Sequence, residues 1–283
     1  MFRDDASSLL PYGTGQDEGF TADISGSDAQ ATSLIAEALP SSYGDPSFPH
    51  KLRDFFHETA DLVLACGRAH YELTYSEPSG TPGTFRLEAI PPGTAHYRRG
   101  RPIQYVPRDV ARQHTRRGVG YVELDPAVII EFRLGPLLTK RVQDAMRVLA
   151  AASIQSAPQS QLIGEARSGT LSYNFIDHQR ETSGILARAT APLGWTGRGL
   201  FDGDQLEPYI VWRHLQFLAF KIHLRDTILA QLNNPVTIAG SRLAFTARIE
   251  LSQVPTLDEV REREDDLAQG RRSLSELVRW AIQ

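Results

Sequence analysis

A single cysteine in 283 residues excludes an intrachain disulfide. It also excludes the disulfide-stapled scaffolds of small secreted proteins, so a reducing compartment is expected. Positive charge is not in excess: 30 Lys and Arg stand against 34 Asp and Glu, a net charge of −4. A chain so balanced has no bulk electrostatic pull toward nucleic acid or an anionic membrane, and any contact with DNA lacks a strong overall grip. No apolar run is long enough to span a bilayer. The opening MFRDDASSLL lacks a basic segment followed by an apolar one, so no signal peptide is expected and the reading is soluble and intracellular. Local catalytic signatures are missing as well: there is no H-E-x-x-H, C-x-x-C, G-x-S-x-G or P-loop, and the eight histidines are dispersed. No cofactor and no resident metal are expected, and the chain reads as a protein without catalysis.

What is present is the composition of a globular protein, 41% hydrophobic and 23% charged, with chain enough for one large domain or two modest ones. The order of periodicities predicts an α+β fold. Residues 1–47, rich in Gly, Ser, Asp and Ala, read as a flexible N-terminal arm with one short helix at 31–39. From Pro49 to Cys66, Leu52, Phe55, Phe56, Thr59, Leu62, Val63 and Cys66 repeat at helical spacing, and Gly67 ends the run. The period then becomes two: Ala69, Tyr71, Leu73 and Tyr75 share one face, as do Phe85, Leu87 and Ala89, with turn chemistry between them. Further strands are expected at 103–106, 120–124 and 128–134, then a helix from Pro136 to about residue 153 and another over 173–189. The longest helix is expected over 207–233, about 40 Å long, apolar on two faces and stopped by Asn-Asn-Pro. A strand over 242–251 follows. Capping boxes at Thr256/Glu259 and Ser273/Glu276 then start two C-terminal helices. The chain thus divides at 1–47, 48–134, 135–189, 190–206, 207–255 and 256–283.

The loop at 190–206 holds Gly194, Gly197 and Gly199 in a G-x-x-G-x-G spacing that matches neither the dinucleotide fingerprint nor a P-loop. Asp202, Asp204 and Glu207 close it. Carboxylates so spaced can share a hard cation, and the same letters describe a solvated loop entering a helix. His57 reads as a surface histidine and Cys66 as a small core residue. The most marked charge feature is basic: residues 98–117 carry seven arginines, among them Arg98, Arg99, Arg101, Arg116 and Arg117, against one aspartate. Interleaved Tyr97 and Tyr105 suit nucleic acid. Residues 250–266 answer with seven carboxylates, Glu259, Glu262 and Asp265 among them. Such blocks can pair between neighbouring subunits, or they are two solvated faces of opposite sign.

Four strings then arrive in a telling order: CGRAHYEL after a helix, FRLEAIPPGTAHYRRG, DHQRETSGILARATAPLGWTGRGL, and ELSQVPTLDEVREREDDLAQGRRSLSELVRWA. Together they resemble the portal proteins of tailed bacteriophages over about 48–283, in a divergent and short form. The resemblance implies a mixed α/β wing-like domain, long stem-type helices, an abbreviated clip at 154–172 and a small C-terminal helical pair. It implies a homo-oligomeric ring of about a dozen copies at the capsid vertex. Double-stranded DNA would pass through the ring weakly and without base readout, and capsid, terminase and adaptor proteins would be partners. Residues 190–206 would then be the tunnel loop, with glycines for mobility and Trp195 and Arg198 turned toward the channel. The residues by themselves leave two other readings open. One is a metal-assisted phosphoryl-transfer enzyme using Asp202, Asp204 and Glu207; the other is a small non-catalytic interaction module.

Overall fold

The structure, a computed structural model, describes residues 2–11, 19–26, 29–40, 47–76, 83–106, 120–156, 185, 188–196 and 207–282. The fold is α+β. In chain order the described elements are α1 (Phe2–Ser7), β1 (Thr21–Ser25), α2 (Ala29–Ala38), α3 (Phe48–Cys66), β2 (Arg68–Ser76), β3 (Thr84–Ala89), β4 (Ala95–Arg98), β5 (Arg101–Tyr105), β6 (Tyr121–Glu123) and β7 (Ile129–Arg133). Then come α4 (Pro136–Ser156), a 3₁₀ turn (Ala191–Leu193), α5 (Pro208–Leu243), β8 (Arg248–Ser252), α6 (Leu257–Gln269) and α7 (Leu274–Ile282). The strands form three small antiparallel sheets, in the orders β3-β2-β7, β4-β5-β6 and β1-β8. Two compact units result. One comprises Arg3–Leu134 with His223–Val254, the other Met1–Phe2, Gly135–Ile222 and Pro255–Gln283.

In the first unit, α3 lays its apolar stripe on the β3-β2-β7 sheet. Phe55, Tyr71 and Phe132 meet with ring centroids 5.2 to 5.6 Å apart. All three are fully buried, and burial of such rings supplies the main favourable term of the unit. The Tyr71 hydroxyl is satisfied by Thr59 Oγ1 at 2.8 Å, and burial pushes its pKa up. The β2–β3 register sets Leu73 opposite Leu87 and Tyr75 opposite Phe85, as the alternation requires. Cys66 corrects the sequence reading. The last residue of α3 is exposed, because the stripe ends at Val63 and Leu64 where the chain turns at Gly67. His57 is exposed, as read.

The expected N-terminal arm is a second correction. In its described part, Ala6, Leu9, Leu10, Phe20, Ile35 and Leu39 are buried, and Arg3 pairs with Asp61 at 2.5 Å. β1 pairs residue for residue with β8, Ile24 opposite Ile249. Those buried apolar residues are few, and the strand's partner lies more than two hundred residues away (Thr21 faces Ser252). Local composition carries no trace of such a partner.

The long helix is a third. It does not stop at Asn-Asn-Pro but runs through Pro235 to Leu243. An interior proline removes one backbone hydrogen bond and crowds the preceding turn, at a cost of about 3 kcal/mol in an isolated helix. Thr237 Oγ1 donates to the Asn233 carbonyl at 2.9 Å and Ser241 Oγ to the Thr237 carbonyl at 3.0 Å, bonds that do not replace the one lost at Pro235. What offsets that loss is a pair of side-chain ties from this stretch of helix to two strands. The Asn233 amide exchanges two hydrogen bonds with the backbone of Ile249, and Gln231 does the same with Arg133. Residues 242–247 are therefore helix end and turn, and only Arg248–Ser252 is strand.

In the second unit, Leu215, Leu218, Ile222 and Val260 form one cluster with Leu257, Leu267 and Trp280 beside it. Val211, Leu277 and Val278 form another. Both C-terminal helices start where the capping boxes put them. Thr256 and Glu259 satisfy each other's amides, as do Ser273 and Glu276.

Candidate functional site

The arginine-rich stretch contributes a three-stranded sheet whose β4–β5 hairpin turns in two residues. Arg99 (φ 51°) and Gly100 (φ 79°) both lie in the left-handed region. That is the signature of a type I′ turn, which matches the twist of the flanking strands. The register sets Arg98 opposite Arg101, Tyr97 opposite Pro102 and His96 opposite Ile103. The Arg98 guanidinium lies 5.5 Å from the centre of the Tyr121 ring on β6. Arg101 reaches Glu123 at 3.7 Å, with both side chains mostly exposed. Between them opens a recess of about 530 Å³ lined by Arg98, Arg99, Arg101, Ile103, Tyr121 and Glu123. Tyr97 and Tyr105, the aromatics interleaved with the arginines, are both exposed. Tyr97 donates to Glu131 at 3.4 Å, and Tyr105 meets His96 edge to face. Arg116 and Arg117 lie outside the described residues.

The acidic partner segment is largely engaged within its own chain. Glu259 is held by its capping box, Glu262 lies 3.8 Å from Arg263, and Asp258 pairs with Arg261 at 2.8 Å. Glu264 accepts a hydrogen bond from Gln216. The Asp266 carboxylate is enclosed by Arg272, Arg271 and Arg263. The Arg272 hydrogen bond, reinforced by the other two cations, holds its pKa below the usual carboxylate range. Asp265 is exposed.

The loop expected to face a channel is anchored instead at its start. Trp195 is 7% exposed, packs edge to face on Phe2 at 5.5 Å, and its carbonyl accepts from both Thr190 Oγ1 and the Arg213 guanidinium. A side chain that lines a DNA path has to reach solvent, so Trp195 is withdrawn from that role. Gly194 likewise serves proximity rather than mobility. Its φ is 79°, and a Cβ there would meet the Phe217 nitrogen at 2.3 Å and the Arg213 carbonyl oxygen at 2.5 Å. Gly197, Gly199, Arg198, Asp202 and Asp204 lie outside the described residues. Glu207 is exposed at the start of α5, where its carbonyl accepts from Ile210 and Val211. Among the described residues no group of three or more His, Cys, Asp or Glu could hold a metal ion, and no helix is long and apolar enough to cross a membrane.

Arg213 and His70 are among the buried polar positions that escaped the sequence reading. Arg213 sits amid an apolar run with its Nε unpartnered, and a cation in such a run is the signal that could have marked the clamp on Thr190 and Trp195. His70 on β2 is 8% exposed with Nε2 unpartnered. Burial lowers its pKa, with Glu131 opposing and Arg68 and His96 adding to the shift.

No family model matches this chain, and no curated protein matches it. Among solved structures it is similar to a chain of one described as "Virion of native gene transfer agent (GTA) particle", at 12% identity and a TM-score of 0.43. The similarity covers 95% of this chain and 82% of that one. The likeness is a weak structural one, to a chain of a virion particle.

Proposed function

We propose that this chain is a portal-like structural protein, forming a ring through which double-stranded DNA passes at a capsid vertex during packaging and head–tail connection. The observation that carries the reading is the agreement between the four resembling strings and the elements beneath them. CGRAHYEL runs from the end of α3 into β2, and FRLEAIPPGTAHYRRG runs from β3 through a turn into β4. In the third string the described helical residues 188–190 pass into a Pro-containing 3₁₀ turn. The fourth string begins within β8 and continues through the charged α6 and Gly270 into a Ser-started α7. The net charge of −4 suits a conduit, since every retained phosphate contact adds a salt-dependent grip on a duplex that has to slide. Arg198 is the residue of the 190–206 loop that would touch passing phosphate. Capsid, terminase and adaptor proteins would be the partners, and the chain would do no chemistry of its own.

Native mass measurement with negative-stain imaging tests the reading. A closed ring of about a dozen copies is expected, with assembly weakened by added salt where charged surfaces contribute to it. A protein that stays monomeric at high concentration and low salt would sink it. Micromolar binding of Mg²⁺ or Mn²⁺ in calorimetry, abolished by Asp202→Asn or Asp204→Asn, would instead favour metal-assisted phosphoryl transfer.

A further inference from the structure

We infer that the β4–β5 turn is a binding site for phosphate oxyanions, made by Arg98, Arg99 and Arg101 around the recess they line. Two local choices at this turn disfavour the fold, and both concentrate positive charge. Arg99 occupies the first left-handed position of the turn (φ 51°), where Asn, Asp or Gly is the residue that costs least. Arg98 and Arg101 face each other as a cross-strand pair, and like charges so placed repel. Among the described residues the carboxylate at the recess is Glu123, 3.7 Å from Arg101 with side chains 63% and 75% exposed, so water screens that pair heavily and leaves the charge of the turn largely uncompensated. Local rules that fail together at one place mark a site selected for something other than stability.

The geometry of the recess narrows the ligand. Arg98 is steadied over the Tyr121 ring and the buried Ile103 forms part of the wall, so the cations border a shaped opening rather than a flat face. Guanidinium groups pair with carboxylates and phosphates alike through planar forks. Three guanidiniums can ring one carboxylate, as they do at Asp266, but the higher charge of a phosphate gains more from such a cluster. A phosphate presents more oxygens over a larger sphere. On a second copy of the chain Asp266 is enclosed by its own arginines and Glu259 is held by its capping box, while the exposed Asp258, Glu262 and Asp265 are rival anions that a poly-glutamate comparison separates from phosphate. The shared chemistry is the phosphate group, offered either by the backbone of a DNA duplex or by a free polyphosphate. The inference needs neither ring nor channel and so goes beyond the conduit reading.

The test uses the full chain at low salt. A short fluorescein-labelled DNA duplex is followed by anisotropy and inorganic pyrophosphate by calorimetry, for the natural protein and for Arg98→Gln, Arg99→Asn and Arg101→Gln. Each variant should weaken binding by on the order of tenfold, the worth of a lost charge-assisted hydrogen bond. Arg99→Asn should at the same time raise Tm by about 2 °C, because Asn fits the left-handed position. Duplex binding without pyrophosphate binding assigns the site to a nucleic-acid backbone. The converse assigns it to free phosphate compounds, and displacement of one by the other assigns it to both. Binding of neither probe, binding unchanged in all three variants, or a fall in Tm for Arg99→Asn would overturn the inference. So would preferential binding of poly-glutamate, which would make the turn a docking point for an acidic protein segment. A monomeric protein that binds pyrophosphate through these arginines would end the conduit reading and leave this one standing.

Discussion

Gly194 and His70 each show a residue held by what surrounds it. At Gly194 the backbone of α5 approaches so closely that a methyl group would overlap the Phe217 nitrogen and the Arg213 carbonyl. Because those atoms belong to a helix, they cannot swing aside. Gly194→Ala is expected to cost about 3 kcal/mol, combining left-handed strain with overpacking, read as a lower midpoint in urea. The clamp of Thr190 and Arg213 on the Trp195 carbonyl should loosen with it, seen as a red shift of tryptophan emission. Burial lowers the His70 pKa from the ordinary 6.5 and so favours its neutral ring in the folded protein, and burial with Arg213 nearby acts in the same direction on His214. Well above pH 6.5 neither the folded nor the unfolded histidine is charged, and stability does not depend on its titration. Below it the unfolded chain takes up protons that the folded one refuses, so stability falls as pH drops toward the folded value. Denaturation midpoints at about pH 7.5 and about pH 5.5 should differ, and His70→Gln should shrink that difference.

Helices and strands differ in how far their partners lie along the chain. Asn233 acts as a side-chain peptide: its amide both donates to and accepts from Ile249, tying α5 to β8. Asn233→Ala removes both bonds and is expected to cost about 2 kcal/mol. Faster hydrogen exchange at Ile249, ahead of global unfolding, is the measurement that checks it. Elements with near partners were legible in the sequence. The stripe of α3, the alternation of β2 with β3, and both C-terminal capping boxes are statements about residues three to twenty apart. β1 was not, because its pairing is with β8, nor was the passage of α5 through Pro235, because the amides that hold that helix reach Arg133 and Ile249. The candidate site divides in the same way. Seven arginines in twenty residues are visible as letters, but Arg-Gly does not announce a turn as Asn-Gly does, and the left-handed Arg99 had to be seen. The expectation that Trp195 faces a channel rests on the portal resemblance alone. Its burial depends on Phe2 and on Arg213, one at the far end of the chain and the other eighteen residues on.

The whole molecule is assembled out of sequence order. The chain passes from one compact unit to the other after Phe2, after Leu134, after Ile222 and after Val254, and α5 gives residues 208–222 to one and 223–243 to the other. A linear division at 48–134 and 207–255 cannot capture such interleaving, since the first compact unit joins most of both stretches and cuts α5 between Ile222 and His223. A ring of such copies would be built from chains folded in this way, and its formation has to wait for each copy to be complete. Translation supplies residues from the N-terminus at a finite pace. When β1 leaves the ribosome, the strand it pairs with is still untranslated, and Thr21–Ser25 remains an open edge until Arg248–Ser252 emerges. An unpaired edge is a template for the wrong neighbour, and on a polysome the nearest candidates are the same strands of sister chains. The β1–β8 pairing therefore makes the emergence of Arg248–Ser252 the point in synthesis at which the first unit can close.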